Sequence, residues 1–216
     1  MNTPIFVFVI GFLAQVFFSA RILLQWIRSE RAGQVLSPLF FWVFSIAGSY
    51  LLFIYGVCRN DFSIILGQFI SYYIYLWNLN QKEVWTRLNK AFRWLLLCTP
   101  IAATVWLLQD IPLFINQYFA NEHIPLWLVA FGSAGQIIFT LRFVYQWLCS
   151  RRKGESVLPA GFWILSLTGS GIIVAYAVFR LDPVLILGQS VGFVAYIRNL
   201  FIGKKAKASL CKTIND

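Results

Sequence analysis

The chain has 216 residues, of which 59% are hydrophobic, 18% aromatic and only 12% charged. This charged fraction is about half the roughly 25% of soluble domains, which excludes an ordinary soluble protein and, with long apolar runs, predicts an all-α integral membrane protein. The formal net charge of +10 is spread over short loops and is not gathered on one face, so we expect no nucleic-acid binding.

Apolar runs long enough to cross a bilayer recur along the whole sequence. Proline, glycine and charged residues separate them, and together they predict seven transmembrane helices. The predicted helices cover residues 4–27, 38–58, 62–79, 92–108, 125–149, 159–179 and 183–202.

The first three and the last three predicted helices are copies of one another. A shift of about 121 positions superimposes residues 11–79 on residues 132–200 without a gap, and about 26 of roughly 69 positions are identical. Many identical pairs are polar, so shared hydrophobicity alone does not explain them. The unpaired fourth helix gives both copies the same orientation, which predicts a 3+1+3 arrangement of parallel repeats like that of the SWEET transporters.

The repeat divides the chain into four predicted parts and fixes a predicted orientation. Residues 1–80 form the first three-helix repeat, 81–122 the linker helix with its loops, 123–203 the second repeat, and 204–216 a basic tail. Most lysines and arginines of the loops fall on one side, whereas the other side carries Asp110 and Glu122. The positive-inside rule therefore predicts an amino terminus outside the cell membrane and a carboxyl terminus in the cytoplasm.

One arginine recurs inside the first predicted helix of each copy. Arg21 and Arg142 lie about two turns from the helix ends, and Gln25 and Gln146 follow on the same helical face. An arginine at this depth can extend its guanidinium to the interface, which is one interpretation. We favour a paired functional role, because charges inside a membrane are costly and both copies keep the Arg-x-x-x-Gln-Trp unit.

The third predicted helix of each copy carries a polar stripe, with three residues at intervals of seven and an asparagine one turn beyond, which places these side chains on one face. The stripes consist of Asp61, Gln68, Tyr75 and Asn78, and of Asp182, Gln189, Tyr196 and Asn199. They predict either hydrogen bonds between helices or contacts with a ligand. We interpret the two aspartates, beside Arg59 and Arg180, as helix caps or local ion pairs.

The second predicted helix of each copy has a face of proline, tryptophan and serine. Its members are Pro38, Trp42 and Ser45, and Pro159, Trp163 and Ser166. Small residues permit close helix packing, and a proline in the first turn is an ordinary helix start. The alternative, which we carry as the site prediction, is that the tryptophans and serines contact a ligand and the prolines act as hinges.

These side chains together predict a polar cleft between the copies. A guanidinium binds phosphate in a bidentate manner, so Arg21 and Arg142 are the predicted phosphate-binding residues. Amides, hydroxyls and aromatic faces suit a sugar, and the predicted sugar contacts are Gln25, Gln68, Tyr75, Asn78, Trp42 and Ser45 with Gln146, Gln189, Tyr196, Asn199, Trp163 and Ser166. No cysteine or histidine cluster suggests a metal, and we expect no cofactor.

Three motifs occur in both copies: Arg-x-x-x-Gln-Trp-x-x-Ser, then Pro-x-x-Phe-Trp-x-x-Ser-x-x-Gly-Ser, then Arg-x-Asp with Leu-Gly-Gln and Asn-Leu. In the first copy they cover residues 21–29, 38–49 and 59–79. In this respect the chain resembles the lipid-A-disaccharide synthase N-terminal domain family, which is similar in architecture to PQ-loop, SWEET and SemiSWEET proteins. The Pro-Gln pair itself is absent, since Leu39 and Ala160 follow the prolines.

The resemblance implies work on envelope glycolipids, and three hypotheses follow. The first is a flippase that moves an undecaprenyl-phosphate-linked monosaccharide to the periplasmic leaflet for modification of lipid A and lipopolysaccharide. The second is a SWEET-like carrier of a free small sugar. The third is a non-transporting membrane partner of a glycosyltransferase. We expect no enzymatic activity, because neither copy contains a histidine or an evident nucleophile and base pair.

Overall fold

A computed structural model describes residues 4–118 and 125–215, and every regular element within these ranges is an α-helix. The helices are α1 (Ile5–Ala32), α2 (Leu39–Cys58), α3 (Phe62–Gln81), α4 (Val84–Arg87), α5 (Lys90–Leu107), α6 (Ile111–Tyr118), α7 (Leu126–Lys153), α8 (Ala160–Phe179) and α9 (Pro183–Asn215). Five of them, namely α1, α2, α7, α8 and α9 as far as Ala206, are long and apolar enough to cross a membrane. The chain is therefore an all-helical, multi-pass membrane protein.

The predicted third and fourth helices correspond to α3 and α5, which are not among these five candidate membrane spans. Polar residues such as Gln68 and Asn78 lower the hydropathy of α3, and Lys90 and Arg93 begin α5. The expected loop residue Glu122 lies outside the described residues.

Several helix ends differ from the predicted ones. The first and fifth predicted helices stop at residues 27 and 149, but α1 and α7 continue to Gly33 and Gly154. These glycines have φ values of 64° and 71°, the left-handed conformation in which helices commonly end. Helix α9 continues past the predicted end at residue 202 because the following segment is rich in lysine and alanine, which favour helix. The short helices α4 and α6 were not predicted.

The helices pack as two units of three. Helices α1, α2 and α3 contact one another in sequence, as do α7, α8 and α9. Between the units, α3 packs on α7 and α1 packs on α9. The first helix of each unit thus contacts the third helix of the other, which is the reciprocal pattern of a two-fold relation.

The polarity of the bundle is the reverse of a soluble protein's. Large apolar side chains such as those of Ile5 and Leu181 are exposed, whereas Gln25, Asn78 and Ser45 are fully buried. Polar groups inside and apolar groups outside suit a bundle whose surface faces lipid.

Candidate functional site: a chamber with two buried arginines

A small cavity lies between the two units at the level of the matched arginines. We call it the arginine chamber and define it by the residues that line it: Gln15, Phe18, Arg21, Ile22, Leu52, Gln68, Ser71, Tyr75, Gln136, Phe139, Thr140, Arg142, Gly188, Gln189 and Tyr196. Its volume is about 20 Å³, which is room for about one water molecule. The lining side chains therefore leave little empty space in this conformation.

The arginines are buried side by side in this chamber. Arg21 is 4% exposed and Arg142 is 2% exposed. Their guanidinium carbons lie 5.7 Å and 4.5 Å from the centroid of the same ring, that of Phe143. Interface snorkelling, the alternative interpretation, does not describe them, because both guanidiniums point inward.

Each guanidinium keeps N–H groups without a hydrogen-bond acceptor. The Nη1 of Arg21 donates to Ser45 Oγ at 2.7 Å and to Tyr75 Oη at 3.3 Å, and its Nε has no partner. Arg142 leaves both Nε and Nη1 without a partner and stacks on Phe139, 3.1 Å from the ring centroid.

Carboxylates do not compensate these two charges within the part of the chain that the structure describes. Its ion pairs involve Arg59, Arg180 and Arg198, and none involves Arg21 or Arg142. Burying an unpaired cation is strongly unfavourable. The chamber therefore has the electrostatics of an anion site.

Four glutamines add amide groups around the arginines. Gln15 Nε2 and Gln68 Oε1 are buried without hydrogen-bond partners, and Gln189 Oε1 accepts from Ser170 Oγ at 2.9 Å. A Cβ atom added to Gly67 would lie 2.6 Å from Gln136 Oε1, so this glycine lets the amide approach α3 closely. Gly188 plays the same part opposite Gln15.

One end of the bundle is closed by ion pairs exchanged between the units. Arg59 Nη2 lies 3.6 Å from Asp182 Oδ2, and Arg180 Nη2 lies 3.8 Å from Asp61 Oδ2. We call this the carboxylate end and define it by these four residues. The expected helix caps are confirmed, since Asp61 accepts the backbone N–H of Ile64 at 3.2 Å.

Two tyrosines complete the carboxylate end, and they too cross between the units. The hydroxyl of Tyr55 donates to Asp182 Oδ2 at 2.9 Å, and that of Tyr176 donates to Asp61 Oδ2 at 2.6 Å. The aspartates thus contact arginines and tyrosines of the opposite unit. Of the two predicted alternatives, the helix caps are confirmed, whereas the ion pairs join the two units and are not local. The Arg-x-Asp spacing could not reveal this, because each aspartate is fixed by its cap in a position that faces the other unit.

The opposite end is closed by paired amides, also between units. Gln25 Nε2 donates to Asn199 Oδ1 at 2.9 Å, and Asn199 Nδ2 returns a bond to Gln25 Oε1 at 3.1 Å. Gln146 and Asn78 form the same reciprocal pair, at 2.9 Å and 3.1 Å. We call this the amide end and define it by these four residues.

The amide end also explains the Arg-x-x-x-Gln-Trp-x-x-Ser motif. Gln25 Nε2 donates to Ser29 Oγ at 2.9 Å, and Ser29 Oγ accepts the backbone N–H of Leu36 at 3.0 Å. Ser150 accepts from Val157 at 3.0 Å in the second unit. Glutamine and serine therefore fix the loop after the first helix of each unit.

The predicted site residues fall into three places. The chamber contains Arg21, Arg142, Gln68, Gln189, Tyr75 and Tyr196, and the amide end contains Gln25, Gln146, Asn78 and Asn199. The remaining residues lie behind the chamber: Trp42 packs on Tyr75 and Trp163 on Tyr196, while Ser45 and Ser166 each donate to a carbonyl one turn back. Pro38 and Pro159 immediately precede α2 and α8 in extended conformation.

Four polar residues of the chamber were absent from the predicted site: Gln15, Gln136, Ser71 and Thr140. Gln15 and Gln136 are identical in the two copies and precede the arginines by six residues, so the repeat alone could have indicated them. Ser71 and Thr140 have no identical counterpart, and no sequence signal marked them.

Comparison with known proteins agrees with the duplication. The sequence model described as the Lipid A Biosynthesis N-terminal domain matches residues 10–80 and again residues 131–201. Curated relatives include proteins named lipid-A-disaccharide synthase from Chlamydia felis and Chlamydia abortus. The former is 30% identical over 89% of this chain and 32% of its own length, and the latter is 31% identical over 93% and 34%.

The chain spans about a third of the length of these relatives. A search of solved structures gave no significant match. The family assignment rests on the two domain matches, which together cover more than half of the sequence. The chain belongs to the Lipid A Biosynthesis N-terminal domain family.

Proposed function

We propose that the protein is a flippase that moves an undecaprenyl-phosphate-linked monosaccharide from the cytoplasmic to the periplasmic leaflet of a bacterial inner membrane, for modification of lipid A. The observation that carries this proposal is the pair of buried arginines, which share one chamber without a described carboxylate partner. Their free N–H groups suit a phosphate, which would also neutralise their charge. The chamber amides and tyrosine hydroxyls suit the hydroxyls of a sugar.

The proposal includes a membrane arrangement. Helices α3 and α5 cross the membrane with the five more apolar helices, giving the seven-helix 3+1+3 arrangement with a periplasmic amino terminus. The distribution of lysine and arginine supports this orientation. The carboxylate end then faces the periplasm and the amide end faces the cytoplasm.

Transport requires the two ends to open in turn. Both ends are closed here by contacts between the units, and a chamber of about 20 Å³ is too small for a sugar. Separation of the amide pairs would admit the head group from the cytoplasm and free Gln25, Asn78, Gln146 and Asn199 to contact it. Closure of that end and separation of the ion pairs would release it.

A non-enzymatic role is part of the proposal. Among the described residues, the side chains that line the chamber offer guanidinium, amide, hydroxyl and aromatic groups, but no carboxylate, cysteine or histidine. A nucleophile with its general base is therefore missing from the place where the substrate would bind.

One observation favours the glycosyltransferase-partner hypothesis as the second candidate. The relatives named lipid-A-disaccharide synthase are about three times as long as the aligned region. The rest of such a relative has room for an enzyme, and this chain would then anchor or feed a separate one.

The test is a transport assay in proteoliposomes. Undecaprenyl-phosphate-linked sugar is loaded in one leaflet, and its arrival in the other is measured with a membrane-impermeant reagent. The wild type should accelerate transfer, and the double variant Arg21→Gln, Arg142→Gln should abolish it. The matched control is Arg31→Gln with Arg152→Gln, an exposed and repeat-related pair that should transport normally.

Uptake of free sugar instead of lipid transfer would favour the SWEET-like carrier. If the wild type moves neither, and co-purifies with a glycosyltransferase, the partner hypothesis replaces the flippase.

A further inference from the structure

An apolar groove runs along α2, between the first unit and the linker helix α5. It consists of two cavities of about 220 Å³ and 680 Å³, and Tyr50 lines both. Their α2 residues extend from Val43 to Cys58, a helix length of about 22 Å. We call this the linker groove and define it by Val43, Ala47, Tyr50 and Val57 on α2 with Leu96 and Ala103 on α5.

The attachment of α5 explains why the groove is open. Tyr72 Oη donates to the Leu96 carbonyl at 2.9 Å, and Tyr73 Oη donates to the Leu97 carbonyl at 3.1 Å. Pro100 has no N–H with which to bond the Leu96 carbonyl, so the tyrosine replaces the missing helical bond. These bonds hold α5 against α3, whereas the α5 side chains that line the groove beside α2 are apolar apart from Thr99.

The groove is confined to the first unit. Tyr50 corresponds in the repeat to Gly171, and a Cβ atom added to Gly171 would meet nothing within 4 Å. Ala47 lines the groove, whereas its counterpart Thr168 is exposed. In the described part of the chain, α8 therefore has no helix that plays the part of α5.

The groove adjoins the arginine chamber through one residue. Gln68 lines both, is 8% exposed, and its Oε1 is buried without a hydrogen-bond partner. Ser49 lies on the groove side and donates to the backbone carbonyl of Gln68 at 3.3 Å. The apolar linker groove and the cationic arginine chamber thus meet at the buried amide of Gln68.

We infer that the linker groove holds the prenyl chain of the transported lipid while its phosphate and sugar occupy the arginine chamber. The groove is apolar and about 22 Å long, so it can take part of a long hydrocarbon chain whose charged end lies at Gln68, next to the arginines. This inference rests on the proposed function. It makes the transporter asymmetric, because the lipid is held by the first unit alone.

The first test fills the groove. In the proteoliposome assay, Ala47→Trp and Ala103→Trp should lower the transfer rate of undecaprenyl-phosphate-linked sugar by about tenfold, because the larger side chain takes the space of the chain. Thr168→Trp, the repeat-related control, should transfer at the wild-type rate. A substrate with a two-isoprene chain, too short to extend along the groove, should move equally in all three variants. Equal loss in Ala47→Trp and Thr168→Trp would overturn the inference.

The second test does not depend on transport or on a variant that folds. Wild-type protein is irradiated with undecaprenyl phosphate that carries a photoreactive group on one of its first isoprene units, and labelled peptides are identified. Label should fall on α2 and α5 and should decrease with excess undecaprenyl phosphate but not with excess phospholipid. Equal labelling of α8, or a decrease in labelling when excess phospholipid is added, would refute a substrate groove and indicate a site for bulk lipid. A wild type that transfers nothing, yet labels as expected, would reject the flippase and keep the groove.

Discussion

The two arginines of the chamber occupy equivalent positions but are not in equivalent surroundings. Arg21 donates to Ser45 and Tyr75 and leaves its Nε unpaired, whereas Arg142 leaves both Nε and Nη1 unpaired. A ligand would therefore gain more new hydrogen bonds from Arg142. The repeat gives the chamber two arginines, and their local hydrogen bonds leave Arg142 with more N–H groups for a ligand.

We predict that Arg142→Gln weakens binding of undecaprenyl phosphate more than Arg21→Gln. Hydrogen bonds to a charged group contribute about 1.5–3 kcal/mol, so each change should cost about tenfold or more in affinity, with the larger loss at Arg142. Arg142→Lys should recover little, since an ammonium cannot reproduce the planar donor arrangement. The measurement is equilibrium binding in detergent, with the exposed Arg152→Gln as control. A larger loss in Arg21→Gln would contradict this ranking.

At the scale of the helices, close approach between units depends on glycines that face glutamines. Gly67 of α3 lies against Gln136 of α7, and Gly188 of α9 lies against Gln15 of α1. Helix packing in membranes relies on such small residues, because lipid offers little hydrophobic drive for association. These contacts set the width of the chamber.

Gly67→Ala should therefore destabilise the protein by about 1–3 kcal/mol, because the new methyl group overlaps Gln136 Oε1. The matched control is Gly171→Ala, which adds a methyl group in open space and should stabilise its helix by roughly 1 kcal/mol. Thermal unfolding in detergent compares the two. A lower melting temperature for Gly171→Ala than for Gly67→Ala would show that the packing of α3 on α7 is looser than described.

The long helices and their duplication could be predicted because each long helix has a local sequence signal. Apolar runs predicted the transmembrane helices, and identical polar pairs such as Gln25 and Gln146 predicted the two repeated units. The short helix α4 (Val84–Arg87) gave no such signal, because four residues are too few for a periodic pattern.

The partners of the polar residues could not be predicted, because they depend on how the units meet. Gln25 and Asn199 are 174 residues apart in sequence and pair directly. Both were predicted to contact a sugar, and in this closed conformation they contact each other. The ion pair between Arg59 and Asp182 could likewise not be predicted, because Asp61 is much closer to Arg59 in sequence.

For the whole molecule, the two closed ends predict that motion between the units is necessary for transport. Ser37 and Ser156, next to the amide end, bring their hydroxyl oxygens within 2.8 Å across the units. Ser156 Oγ also donates to Asn78 Oδ1 at 3.1 Å. A covalent bond at this position would hold the amide end shut.

In a background without the native cysteines, Ser37→Cys combined with Ser156→Cys should form a disulfide on oxidation, because the side chains already meet. Transfer of the lipid-linked sugar should stop, and a reductant should restore it. Ser156→Cys alone is the control and should be insensitive to oxidation. Unchanged transfer by the fully cross-linked protein would mean that the substrate does not pass through the amide end.

Transport as proposed requires the claim that the buried arginine pair binds a phosphate, and a comparison of two lipids tests it. The affinities of undecaprenyl phosphate and of the neutral alcohol undecaprenol are measured for the wild type and for the double variant Arg21→Gln, Arg142→Gln. The wild type should prefer the phosphate by about tenfold or more, and the double variant should bind both lipids alike. An undiminished preference for the phosphate in the double variant would contradict the claim.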